Sequence, residues 1–138
     1  MAEPSPTLDA EPRWLPIDIV IDNNIDTVCA TGEPFLILDE GLLSSAYSRP
    51  QNMWAYGGVT DVVTLAAALA IGIGRNHPFQ QGNKRTAFES AVMFLYINGY
   101  DVIAPDTVLL GVLLEAVIIG DMAEDAYIRA LRSFVFPH

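Results

Sequence analysis

Lysine is almost missing from this chain. Lys84 is the single one among 138 residues, and with the arginines it makes 7 cations against 17 carboxylates, a net charge of -10. A surface of that sign excludes a general nucleic-acid binder, because phosphate backbones are held by surplus Lys and Arg. It favours basic partners instead. Cysteine is equally sparse. Cys29 stands alone, so no internal disulfide forms, and its apolar surroundings in the sequence predict a buried, inert thiol in a reducing compartment. Long hydrophobic runs are absent as well: residues 62–73 and 108–119 fall short of the roughly 20 residues a membrane helix needs, and the second contains Glu115. The opening MAEPSPTLDAEP is acidic and proline-rich, unlike a signal peptide, which makes the cytoplasm the expected location and a membrane an unexpected partner. No internal repeat is visible.

What the chain does have is apolar side chains, 51% of its residues against 17% charged. That balance predicts one packed domain over residues 13–138 behind a disordered tail, residues 1–12. Ile17, Val20, Ile21, Ile25 and Val28 recur at helical spacing, with Gly32 as a stop. A short second helix follows Asp39 and ends before Pro50, since the residue before proline is pushed out of the helical region. Residues 49–59, RPQNMWAYGGV, mix proline, a glycine pair and aromatics, a composition that predicts a small hairpin. Thr60 reads as the N-cap of a third helix, with Asp61 in its first turn. This helix is apolar on nearly every face and belongs at the centre of the domain. A fourth helix is expected over residues 83–98, closed by Gly99, and two more over 105–119 and 122–134. The sum is a mostly helical, all-α class domain with one small β-hairpin.

The chemistry concentrates between the third and fourth helices, in the segment RNHPFQQGNKRT from Arg75 to Thr86. The first N–H groups of a helix starting near Asn83 lack intrahelical partners and attract an anion, and Gly82 lets a phosphate approach the backbone. Lys84 and Arg85 stand at that helix start, where cations are unfavourable for the dipole by about 0.3–1 kcal/mol. A bound polyphosphate compensates for the placement. His77, just before the loop, is a residue type that serves as a neutral base near physiological pH.

HPFQQGNKRTA resembles the signature of Fic/Doc proteins, H-x-F-x-[D/E]-x-N-[G/K]-R, in the form with lysine after asparagine that marks the Doc branch. TGEPFLILDEGLLSSAYSRPQN resembles the family's segment before its substrate-binding flap, and FLYINGY the end of its motif helix. The resemblance implies a mostly helical Fic/Doc fold and transfer of a phosphoryl group from ATP or another nucleoside triphosphate to a Ser or Thr hydroxyl. His77 is then the base and Phe79 a buried anchor. Gly82, Asn83, Lys84 and Arg85 hold the phosphates, and Lys84 steers the site toward phosphoryl rather than AMP transfer. The predicted hairpin, with Gln51, Asn52, Met53, Trp54, Ala55 and Tyr56, resembles the flap that pairs with the target. Trp54 and Tyr56 read equally well as core residues.

The implied target is a translation factor resembling elongation factor Tu. The implied regulator is a cognate antitoxin whose disordered C-terminal segment folds onto the toxin. Two features depart from the family pattern. Gln81 replaces the acidic residue that usually holds Mg²⁺, and Asp22-Asn23-Asn24 lies near where relatives often carry a histidine. An AMP-transferring enzyme and a catalytically weak, partner-binding member are the two competing readings.

Overall fold

A computed structural model describes residues 10–138. Six helices run in chain order: α1 (Ile17–Thr31), α2 (Glu40–Gly57), α3 (Val62–Asn76), α4 (Asn83–Ile97), α5 (Thr107–Ile118) and α6 (Glu124–Arg132). The expected mostly helical class is the one observed. Helix α3, VVTLAAALAIGIGRN, is buried from Val62 to Gly74 apart from Thr64, and α2, α4, α5 and α6 pack around it. Its small residues let neighbours approach closely. A Cβ added at Gly72 would sit 3.3 Å from the Ala46 Cα of α2, and one added at Gly74 would overlap the Ile118 side chain of α5. Helix α1 lies on the far side of α4.

Four expectations need correction. The second helix does not stop at Pro50: α2 continues to Gly57, so Gln51, Asn52, Met53, Trp54, Ala55 and Tyr56 are helical rather than a hairpin. Proline inside a helix removes one backbone bond and costs about 3 kcal/mol. The compensation is visible in the packing. Leu43, Ala46, Pro50, Met53 and Trp54 form one stripe at helical spacing, with Leu43, Ala46 and Pro50 buried and Met53 and Trp54 packed against the core. Trp54 is thus partly a core residue, while Tyr56 is 87% exposed.

The β structure lies elsewhere, in an antiparallel pair of β1 (Tyr100–Val102) and β2 (Val135–Pro137), with Tyr100 opposite Pro137. It ties the C-terminal segment to the end of α4. The N-cap of α3 is Asp61, not Thr60. Its carboxylate accepts from the Val63 N–H at 3.1 Å and also holds the Thr64 hydroxyl and Arg132. Cys29 is exposed, because it lies off the α1 stripe that Val20, Asn24 and Val28 turn inward.

Most of the expected tail, residues 1–9, lies outside the described residues; of residues 10–12, Pro12 is buried, and just past them Trp14 stacks on Phe94 at 5.7 Å between ring centroids. Among the described residues no helix is long and apolar enough to cross a membrane.

Candidate active site

Helix α3 ends in a residue that is costly to place. His77 caps it in the left-handed region at φ 53°, ψ 51°, donating its N–H to the Ile73 carbonyl at 3.1 Å. It is the one non-glycine with positive φ among the described residues. Such strain persists where surrounding contacts over-determine it, and these places cluster at functional sites.

The contacts that fix the loop are specific. Phe79 is fully buried, the expected anchor, and its backbone is clasped by the buried Asn83. Asn83 Oδ1 accepts the Phe79 N–H at 3.0 Å, while Nδ2 donates to the Phe79 carbonyl at 2.7 Å and approaches His77 Nδ1 at 3.1 Å. From the other side an extended segment runs along the loop. Leu38 N–H donates to the Pro78 carbonyl at 2.8 Å, Gln80 N–H to the Leu36 carbonyl at 2.9 Å, and Ile37 pairs with Phe79. Phe35, Leu36 and Leu38 remain exposed beside it.

Gly82 turns the chain into α4 at φ 75°. A side chain there would meet Thr27 Cγ2 at 2.9 Å and Asn24 Nδ2 at 3.3 Å, so only glycine lets α1 come this close. Asn24 is fully buried and donates to the Gln81 carbonyl at 2.7 Å and the Thr86 hydroxyl at 3.1 Å. Beside it Asn23 donates to Ser90 Oγ at 3.2 Å. The N-terminus of α4 has no side-chain cap. Its first amides are therefore left for a ligand or water.

Lys84 and Arg85 project from that same end. Each is paired with a carboxylate, Lys84 with Glu115 of α5 and Arg85 with Glu89 at 3.0 Å. All four line a cleft of about 760 Å³ between α4 and α5, floored by Phe88, Val112 and Leu114. The structure sets Asn83 against His77, with Gly82 in the turn between them, and places Lys84 and Arg85 in the α4–α5 cleft, whose lining does not include His77. It does not bring Gln51–Tyr56 to them. Asn52, Met53 and Tyr56 line a separate cleft with Arg49 and Arg75, on the α2–α3 face.

Gln81 is exposed and uses its backbone carbonyl, not its side chain, in the contact with Asn24. No cluster of three or more His, Cys, Asp or Glu able to hold a metal occurs among the described residues. Gln81 offers only a neutral amide, and Glu89 and Glu115 pair with Arg85 and Lys84 on the α4–α5 side. These donors do not fit a resident Mg²⁺, which is usually held by one or two carboxylates together with substrate phosphates.

Two features escaped the sequence. One is the extended segment at Phe35–Leu38, whose apolar run behind Pro34 is a usable strand signal. The other is the inward role of Asn23 and Asn24, for which two amides on the buried stripe of an apolar helix are the clue.

A helix, a strained histidine, a glycine turn and a second helix with an open N-terminus define a helical domain built around an anion-receptive loop. Comparison with family models matches residues 17–95 to the Fic/DOC family, and the chain belongs to that family. It is 40% identical over 76 residues to a protein named Toxin Doc from Mycolicibacterium smegmatis (strain ATCC 700084 / mc(2)155), covering 54% of this chain and 58% of that protein. It is 38% identical over 64 residues to Protein kinase doc of Escherichia phage P1, covering 46% of this chain and 51% of the relative. The similarity thus spans little more than half the length of both relatives.

Proposed function

We propose that this protein is a toxin that transfers the γ-phosphoryl group of a nucleoside triphosphate to a Ser or Thr hydroxyl of a translation factor, one resembling elongation factor Tu. The observation that carries the reading is the placement of His77, through its 3.1 Å contact with Asn83, at the edge of the uncapped α4 N-terminus. The name of the phage relative, a protein kinase, supports the choice of phosphoryl transfer.

In the reaction the target oxygen forms a bond to the γ-phosphorus while the bond to the β–γ bridging oxygen breaks. Nucleoside diphosphate leaves, and the hydroxyl proton passes to His77. Phosphoryl transfer depends chiefly on positioning and on charge stabilisation. Here the free amides at the start of α4, Lys84 and Arg85 supply it, after phosphate oxygens displace Glu115 and Glu89. Asn83 already faces His77 Nδ1 with an N–H, so the neutral ring keeps its proton on Nε2. When Asn83 turns that N–H to an arriving phosphate, the lone pair on Nδ1 is released for the target's proton. Nucleotide binding and base activation are thereby linked.

The target docks at Phe35–Leu38 rather than at Gln51–Tyr56. Leu36 and Leu38 direct their polar backbone groups to the loop, which leaves those of Ile37 on the outer edge for strand addition. An antitoxin whose disordered C-terminal segment folds onto the toxin is the expected regulator, and the cytoplasm the expected compartment.

Replacing His77 with Ala is expected to lower transfer by at least about a hundredfold, the usual contribution of a general base, with the melting temperature unchanged. Mass spectrometry of the target gives the product. Addition of one phosphate supports the reading, addition of a whole nucleotide replaces it with AMP-type transfer, and full activity of the variant overturns the role of His77.

A further inference from the structure

The peptide that joins Gln81 to Gly82 is held from inside the molecule. Its carbonyl accepts a 2.7 Å hydrogen bond from Asn24, a residue with no solvent exposure, on the core side of the loop. A trans peptide is planar and its C=O and N–H point in opposite directions. Holding the carbonyl inward therefore sends the Gly82 N–H outward. That N–H has no acceptor among the described residues, and it lies next to the open amides of α4.

We propose that Asn24 is a positioning residue that aims the Gly82 N–H at the phosphate of the bound nucleotide. The inference rests on the functional reading above and adds to it a donor outside the loop's own sequence. Asn24 never touches the ligand. It is locked in turn by Thr86, the acceptor of its second hydrogen at 3.1 Å, and by the absence of a side chain at Gly82, where a Cβ would press on both Asn24 Nδ2 and Thr27. Without the amide donor the part-buried Gln81 carbonyl loses its partner on the inner side of the loop. The peptide then relieves that loss by rotating, and the rotation withdraws its N–H from the anion.

Asn23 supplies the control. It makes a comparable buried hydrogen bond across the same α1–α4 seam, to Ser90, with no contact to the loop. The experiment compares Asn24→Ala with Asn23→Ala in the full chain, using inorganic triphosphate as the probe in calorimetry and ¹⁵N relaxation of Gly82 as a readout that needs no ligand. Both variants should lose similar thermal stability. Only Asn24→Ala should weaken triphosphate binding, by about tenfold as for one lost charge-assisted hydrogen bond, and only it should make Gly82 mobile.

If Asn24→Ala does not fold, Thr86→Val decides. It is nearly isosteric, and a few-fold loss of affinity with raised Gly82 mobility is expected. Equal effects of the Asn24 and Asn23 variants on Gly82 and on affinity reduce Asn24 to a packing residue and overturn the proposal, as does a rigid Gly82 in Asn24→Ala or Thr86→Val. Failure of the natural protein to bind triphosphate overturns the nucleotide reading instead, and Gly82 mobility then still decides whether Asn24 sets the peptide.

Discussion

Asn83 has three of its four hydrogen-bonding positions filled by neighbours four and six residues away, and the geometry of Phe79 leaves no freedom to exchange its oxygen and nitrogen. The consequence at His77 is measurable without any substrate. Long-range ¹H–¹⁵N spectra of the neutral protein should show His77 in the Nε2–H form, and Asn83→Asp, which presents an acceptor instead, should drive it to Nδ1–H. His138 is the chain's one other histidine, so assignment is direct. An Nδ1–H ring in the natural protein would remove the proposed link between phosphate binding and base release.

Asp61 gives a second prediction at this scale. Burial pushes its carboxyl upward, but the hydrogen bonds from Arg132, Thr64 and the Val63 N–H outweigh that effect and hold it below the ordinary range. A depressed folded value contributes stability above the unfolded value of about 3.9, and that stability is lost as pH falls through the folded one. The urea midpoint should therefore drop from about pH 4 downward, and Arg132→Leu should flatten that acid limb. An unchanged acid limb in the variant would show that the pair is not what protects α3.

At the scale of elements, α1 and α4 were legible because their apolar periodicity and their stops at Gly32 and Gly99 act locally, and α3 because its unbroken apolar run marks a central helix. Helix α2 was not. Local rules end a helix before Pro50, and only the tertiary burial of its stripe against α3 carries it through. The three-residue strands β1 and β2 were illegible for a related reason: they exist by pairing across the length of two helices, not by propensity.

The site divides in the same way. His77, Gly82, Asn83, Lys84 and Arg85 were read from one contiguous segment, whereas Asn24 and the Phe35–Leu38 segment meet it from elsewhere in the chain. The docking role of that segment is tested at Ile37. Proline there removes the outward N–H but leaves the bonds made by Leu38 and Gln80 intact. Ile37→Pro should raise the KM for the protein target by about tenfold or more, the worth of one recognition hydrogen bond, with nucleotide affinity unchanged and Ile37→Val as the packing control. Equal target KM in the proline variant and the natural protein would place docking elsewhere.

For the molecule as a whole, the question is what restrains the site. Among the described residues no element crosses the mouth of the loop: His77 is exposed, and the Lys84 and Arg85 side chains are 57% and 73% exposed. Their carboxylate partners, Glu115 and Glu89, are themselves partly solvated. Exposed ion pairs of this kind are worth roughly 0–1 kcal/mol, too little to compete with a polyphosphate that brings several negative charges to the same two cations and the open amides of α4. On the reading proposed above, nothing among the described residues covers the loop against a nucleotide, and the expected restraint is a separate partner. It follows that expression of the chain alone should arrest growth by stopping protein synthesis, while expression of His77→Ala to the same level should not. The comparison between the two separates catalysis from the burden of expression. The measurement is incorporation of labelled amino acids within minutes of induction, before secondary effects on transcription develop. Incorporation at equal rates in the two strains, with both proteins folded and abundant, would remove the toxin reading for this chain while leaving its family membership and its loop geometry untouched.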